Sequence, residues 1–117
     1  MKRVLVIDDE KSIVEMIRQT LNMEGFFAEV AADGEEGLQK YHSGRFDLVI
    51  TDINLPKCSG NDVAEQIRKT NHIPMIGISG TPWESVGKYF DTVLQKPFSL
   101  FALLKEVQKV FSENRIR

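Results

Sequence analysis

The chain has 117 residues, 27% of them charged and 42% hydrophobic, with a formal net charge of −2. That length holds one hydrophobic core, and the balance excludes a disordered chain. There is no Lys/Arg run dense enough to grip a phosphate backbone and no apolar run long enough for a leader or a membrane span, and the lone Cys58 leaves no internal disulfide. These features predict a single domain over 1–117 in a reducing, cytoplasmic setting, with no nucleic-acid contact within the chain and no membrane partner.

Arg3-Val4-Leu5-Val6-Ile7 is apolar and β-branched almost throughout and ends in Asp8-Asp9-Glu10. It reads as a strand buried on both faces, followed by acids at its carboxyl end. Ile13, Met16, Ile17, Thr20 and Leu21 then recur at helical spacing, and Gly25 stops the helix. Phe27–Ala31 alternates partly and reads as a strand near an edge. Asp33-Gly34 turns the chain into a more polar helix marked by Leu38 and Tyr41, ended by Gly44.

Phe46-Asp47-Leu48-Val49-Ile50-Thr51-Asp52 holds the next buried strand. It too ends in a carboxylate, Asp52, before Pro56 forbids further central pairing. Taken alone, Asp52 is as readily a turn cap as a chemical group. Lys57-Cys58-Ser59-Gly60 is a loop, and Val63, Ala64 and Ile67 mark a third helix. Pro74–Ile78 is a fourth strand ending in Ser79-Gly80-Thr81. Pro82 to Lys88 is expected to form a short helix. Asp91–Gln95 is a last short strand, followed by Lys96-Pro97. Ser99 caps a final helix with the face Leu100, Leu103, Leu104, Val107, Val110 and Phe111, and the tail 112–117 turns polar, as a linker stub would.

Strand and helix alternate five times. This predicts an α/β fold, a flavodoxin-like doubly wound (βα)5 sandwich on a parallel five-stranded sheet of order 2-1-3-4-5. In that order the first and third strands are neighbours, so Asp8, Asp9 and Asp52 meet at one sheet end. Ser79 and Lys96 arrive on the same edge. Clustered carboxylates persist where a cation binds them, and a set of hard oxygens without His or Cys suits Mg²⁺ rather than Zn²⁺. Lys96 is suited to neutralise a phosphoryl group and Ser79 to hydrogen-bond one. A carboxylate so flanked can attack phosphorus and hold an aspartyl phosphate. His42 and His72 lie outside this group, and Glu10 reads as an early-helix acid favoured by the macrodipole.

Asp8-Asp9, Asp52, Ser79 and Lys96-Pro97-Phe98, with Leu55-Pro56 and Gly60, resemble in order and spacing the receiver domain of two-component response regulators, over about Lys2 to Phe111. The resemblance implies that Asp52 accepts a phosphoryl group from a histidine kinase or histidine phosphotransfer protein. It implies Mg²⁺ held by Asp9, Asp52 and the Asn54 carbonyl, with Asp8 acting through water. It implies that Lys96 pairs with the phosphoryl group, that Ser79 swings to bind it, and that the Lys96-Pro97 bond is cis. Output to an unidentified partner, or homodimerisation, would follow a shift of the face behind the site. The domain would modify only itself and would not be an enzyme in the ordinary sense.

The chain departs from the family pattern on that output face. Val93 stands where the switch aromatic three residues before the lysine is usual. Only sixteen residues separate Ser79 from Lys96. Tyr89-Phe90-Asp91-Thr92 replaces a small-residue turn. The expectation is retained phosphoryl chemistry with an atypical output, in which Trp83, Tyr89, Phe90 and Phe101 either form a partner patch or fill a gap left by a shortened helix. Two alternatives stand beside this. One is a degenerate receiver serving as a constitutive interaction domain. The other is a Mg²⁺-dependent phosphohydrolase with an aspartyl nucleophile, disfavoured because Asn54 stands where such enzymes carry an acid/base Asp.

Overall fold

The structure is a computed structural model describing residues 1–80 and 86–116, with side chains described through residue 112. The strands are β1 (Arg3–Ile7), β2 (Phe27–Ala31), β3 (Leu48–Asp52), β4 (Met75–Ser79) and β5 (Thr92–Gln95). The helices are α1 (Lys11–Met23), α2 (Gly34–Ser43), α3 (Gly60–Arg68) and α4 (Leu100–Ile116). The strands form one sheet of order β2-β1-β3-β4-β5, and every pairing is parallel. The predicted sheet order holds, with β2 at an edge.

Alternation along the buried strands builds two cores. Val4, Val6, Leu48, Ile50, Ile76 and Ile78 face one way, onto Val14, Ile17 and Leu21 of α1 and Leu103, Val107 and Val110 of α4. Leu5, Ile7, Val49 and Met75 face the other way, onto Tyr41 of α2 and Val63, Ala64 and Ile67 of α3. Fully burying a side chain such as Ile17 or Leu21 contributes about 2 kcal/mol. Met16, expected on the apolar stripe of α1, is 51% exposed, and Val14 takes the inward place. The helix offers more apolar positions than the sheet can cover.

Local signals set the helix starts. The Asp33 side chain accepts from the Glu36 N–H at 2.8 Å, capping α2. Ser59 and Asp62 form a reciprocal capping box at the start of α3. Ser59 is held in place by the tight loop before it, where Lys57 adopts φ 67°. The Ser99 hydroxyl accepts from the Ala102 N–H at 3.0 Å at the start of α4. That helix continues through Ile116, beyond the Phe111 end of its apolar face.

The connection from β4 to β5 is described at residue 80 and over residues 86–91. The helix expected over Pro82–Lys88 falls largely on 81–85, outside the described residues, and Val86 to Lys88 are not helical. Trp83 lies outside the described residues too. The described part is tied down onto α3. The Gly87 N–H donates to Asn61 Oδ1 at 2.6 Å, and the Arg68 guanidinium donates to the carbonyls of Ile73 and Tyr89, each at 3.0 Å. The ring of Phe90 lies over Gly77, where a Cβ would come within 3.2 Å of it. The aromatic group therefore divides. Tyr89 and Phe90 pack against the α3-side core, while Phe101 is 74% exposed on α4. Among the described residues, no helix is long and apolar enough to cross a membrane.

Candidate functional site

Four strands deliver the site residues. Asp8 follows β1, Asp52 ends β3, Ser79 ends β4 and Lys96 follows β5. Parallel pairing brings these ends level: Asp52 pairs in register with Ile78, Ser79 with Gln95, and the Lys96 N–H donates to the Ser79 carbonyl at 2.8 Å. The Lys96-Pro97 peptide is cis.

Asp52 is buried, and both of its carboxylate oxygens are engaged. Oδ1 accepts from the Asn54 N–H at 2.9 Å, and Oδ2 accepts from Lys96 Nζ at 2.8 Å. Its backbone carbonyl accepts from the Thr51 hydroxyl at 3.0 Å. The chain leaves β3 so close to α3 that a Cβ on Gly60 would collide with the Asp52 carbonyl and come within 2.8 Å of Ile53 Cα. Glycine is required there by close approach, because the atoms in the way are backbone.

Asp8 is only 1% exposed. Its Oδ1 accepts from the Glu10 N–H at 2.9 Å. Its Oδ2 is buried without a hydrogen bond and faces Lys96 Nζ at 3.6 Å. Burial pushes its pKa up to about 6, helped by the charges of Asp52 and Glu10 and opposed by the Glu10 N–H and Lys96. Burial works against the Lys96 ammonium as well. Its hydrogen bonds to Asp52 and Glu10, with the field of Asp8, outweigh that and hold its pKa above the ordinary lysine value.

Glu10 is the residue that sequence reasoning left out. It precedes α1 as the N-cap, yet its side chain makes no capping bond. Instead Oε1 binds Lys96 Nζ at 2.7 Å. Carboxylate oxygens of Asp8, Glu10 and Asp52 lie within 4.8 Å of one another. Asp9, expected as a direct metal ligand, is exposed, and the close carboxylate group is formed without it. Asn54 contributes its N–H to Asp52, and its side chain is exposed. Ser79 is buried at the end of β4.

The arrangement suits a small hard cation. One buried carboxylate oxygen lacks a donor, two more oxygens are close, and among the described residues no His or Cys joins them. Three acids around one ammonium leave a negative excess that a divalent cation would offset. Asp52 Oδ2 and the Lys96 ammonium lie side by side, 2.8 Å apart.

Comparison with known proteins agrees with this geometry. The family model of the response regulator receiver domain matches residues 4–108. The uncharacterized transcriptional regulatory protein YcbL of Bacillus subtilis is 38% identical over 109 residues, covering 89% of this chain and 48% of that protein. The response regulator TrrA of Thermotoga maritima, solved in complex with Mg²⁺-BeF, superposes with a TM-score of 0.86 at 37% identity, over 94% of this chain and 99% of that one. The chemotaxis response regulator CheY4 of Vibrio cholerae gives a TM-score of 0.86 at 32% identity, over 94% and 98%. The chain spans about half the length of most of the curated relatives it matches.

Proposed function

The chain belongs to the response regulator receiver domain family, and on that premise we propose that it is a phosphoacceptor switch whose acceptor is Asp52. The carrying observation is the pairing of the buried Asp52 Oδ2 with Lys96 Nζ at 2.8 Å, beside the donor-less Oδ2 of Asp8. Asn54 N–H fixes Oδ1 and so orients the carboxylate, leaving Oδ2 as the attacking oxygen.

In this reading Oδ2 attacks the phosphorus of a phosphohistidine on a histidine kinase or phosphotransfer protein. The P–N bond breaks, its electron pair leaves with the imidazole, and an aspartyl phosphate forms. Lys96 exchanges Asp52 Oδ2 for a phosphoryl oxygen, and the Ser79 hydroxyl donates to another. Asp8, Asp9, Asp52 and the Asn54 carbonyl would hold Mg²⁺, which when bound supplies neutralising charge to the transferring group. The relative TrrA, solved in complex with Mg²⁺-BeF, supports Mg²⁺ as the ion. The domain acts on no substrate beyond its donor and itself, and it works in the cytoplasm.

The output follows from the same bonds. When Lys96 leaves Asp52, the link from β3 to β5 changes, and the surface bearing Val93 and the α3-tethered segment 86–90 is where a partner or a second copy would read it. Relatives named as transcriptional regulators support a role in gene regulation for the protein as a whole.

The test is intact mass with acetyl phosphate. Wild type with Mg²⁺ gains one phosphoryl group, and Asp52→Asn or removal of Mg²⁺ abolishes the gain. A wild type that gains no mass favours the constitutive interaction domain, the reading that Val93 supports.

A further inference from the structure

Glu10 has no part in the phosphoacceptor scheme above, yet it makes the shortest contact that Lys96 has. Its carboxylate lies 2.7 Å from Nζ, against 2.8 Å for Asp52 and 3.6 Å for Asp8. The contact joins residues 86 positions apart. It is therefore not a by-product of helix geometry. The Glu10 carbonyl accepts the N–H groups of Ile13 and Val14, each at 3.1 Å, so its backbone starts the helix without the side chain. The side chain is left over for the ammonium. The pair forms the polar end of a cleft of about 420 Å³ whose other walls include Ile13, Met16, Ile17 and Phe98. The Glu10 side chain is 54% exposed and that of Lys96 20%, so the pair is open to water on the Glu10 side and its effect is modest.

Resting on the phosphoacceptor reading, we infer that Glu10 is a positioning residue that holds the Lys96 ammonium in competition with an incoming phosphoryl anion, and that it therefore favours the cation and disfavours the anion at one site. The reason is a charge balance. Lys96 is the only ammonium or guanidinium within ion-pair distance of Asp52 among the described residues. Its charge is already divided among three carboxylates. A phosphoryl group must take a share, and Glu10, 2.7 Å from the ammonium and outside the proposed acceptor and ligand set, is a competitor for it. A divalent cation meets the opposite situation, since each carboxylate left near the site adds to its attraction. A neutral amide of the same shape at position 10 removes both effects and leaves the backbone cap in place.

Glu10→Gln, wild type and Glu15→Gln are compared. Glu15 is an α1 acid paired with Arg18 and remote from the ammonium. Mg²⁺ affinity is read by calorimetry. Beryllofluoride affinity at saturating Mg²⁺ is read from bound fluoride by ¹⁹F NMR. Glu10→Gln is expected to weaken Mg²⁺ and tighten beryllofluoride, each by about threefold or more, with Glu15→Gln unchanged. Opposite signs are the signature, because damage to the start of α1 would weaken both ligands together. Equal loss of both, or no change in either, overturns the inference while leaving the phosphoacceptor reading intact. A wild type that binds neither ligand overturns that reading as well.

Discussion

Lys96 Nζ lies 2.8 Å from Asp52 Oδ2, a side-chain link from the end of β5 to the end of the central strand β3 across the intervening β4. Removing the ammonium leaves Asp52 and Asp8 buried and mutually repelling. Lys96→Met is expected to lower stability by about 1–3 kcal/mol in the absence of divalent ions, a range reduced because Lys96 is partly exposed. Urea unfolding with and without Mg²⁺ measures it, and Mg²⁺ is expected to recover part of the loss. A variant as stable as wild type without Mg²⁺ would show that the pair contributes nothing net.

Asp8 carries the opposite burden. Its folded-state pKa of about 6 lies above the ordinary value of 3.8. Between those values the folded chain keeps a proton that the unfolded chain has lost. The contribution of this group to stability therefore falls as pH rises through that window, and above about pH 6 the ionised carboxylate is a net cost to the metal-free fold. Asp8→Asn is expected to stabilise the metal-free protein by about 1–2 kcal/mol at pH 7 and to flatten its stability profile between pH 4 and 6. Added Mg²⁺ should reverse the ranking, because the variant has lost a carboxylate proposed to hold the ion. Chemical denaturation across pH, with a chelator present, decides this.

Gly60 packs directly against the backbone that carries Asp52. Gly60→Ala is expected to cost about 2–3 kcal/mol, since neither the Asp52 carbonyl nor Ile53 Cα can yield as a flexible side chain would. The same shift would move the acceptor carboxylate, so phosphorylation by acetyl phosphate should slow in the fraction that remains folded. A near-neutral variant would mean that the loop relaxes freely.

Lys57 sits at φ 67°, a conformation that L-residues with a Cβ adopt at a cost. Lys57→Gly is expected to leave stability unchanged or raise it by up to about 1 kcal/mol, despite the extra freedom glycine gives the unfolded chain. A loss above 1 kcal/mol would show that the lysine side chain itself holds the loop.

The segment 86–90 is pinned by Arg68 and Asn61. Arg68→Ala removes the guanidinium bonds to the Ile73 and Tyr89 carbonyls. Faster amide exchange confined to the residues around Tyr89 is the expected result, with about 1 kcal/mol lost globally. Unchanged exchange there would show that Phe90 packing alone keeps the segment in place.

The sheet was legible because Val4–Ile7 and Leu48–Ile50 are apolar runs too short for helices and too continuous for surface strands. Once strand order follows from βα alternation, the meeting of Asp8, Asp52 and Lys96 follows too. Glu10 was not legible in that way. Its partner depends on side-chain reach across 86 residues, and an acid beside a helix start already has a sufficient local explanation. The lone signal was an excess of three consecutive acids over the one lysine facing them. Met16 misled because α1 carries more apolar residues than one face needs. Tyr89 and Phe90 were ambiguous for a related reason: packing against α3 requires Gly77 to lack a side chain, and no periodicity in either segment records that pairing.

The order in which these residues are made has its own consequence. Asp8 and Asp52 belong to the first half of the chain, but the ammonium that stands between their carboxylates follows β5, a four-residue strand at the edge of the sheet. During synthesis both acids are made before the ammonium, which joins them only once β5 has docked. Whatever chemistry Asp52 performs with that ammonium is thereby reserved for domains in which β5 has docked. Domains in which β5 has not yet docked carry Asp52 without the partner that holds it.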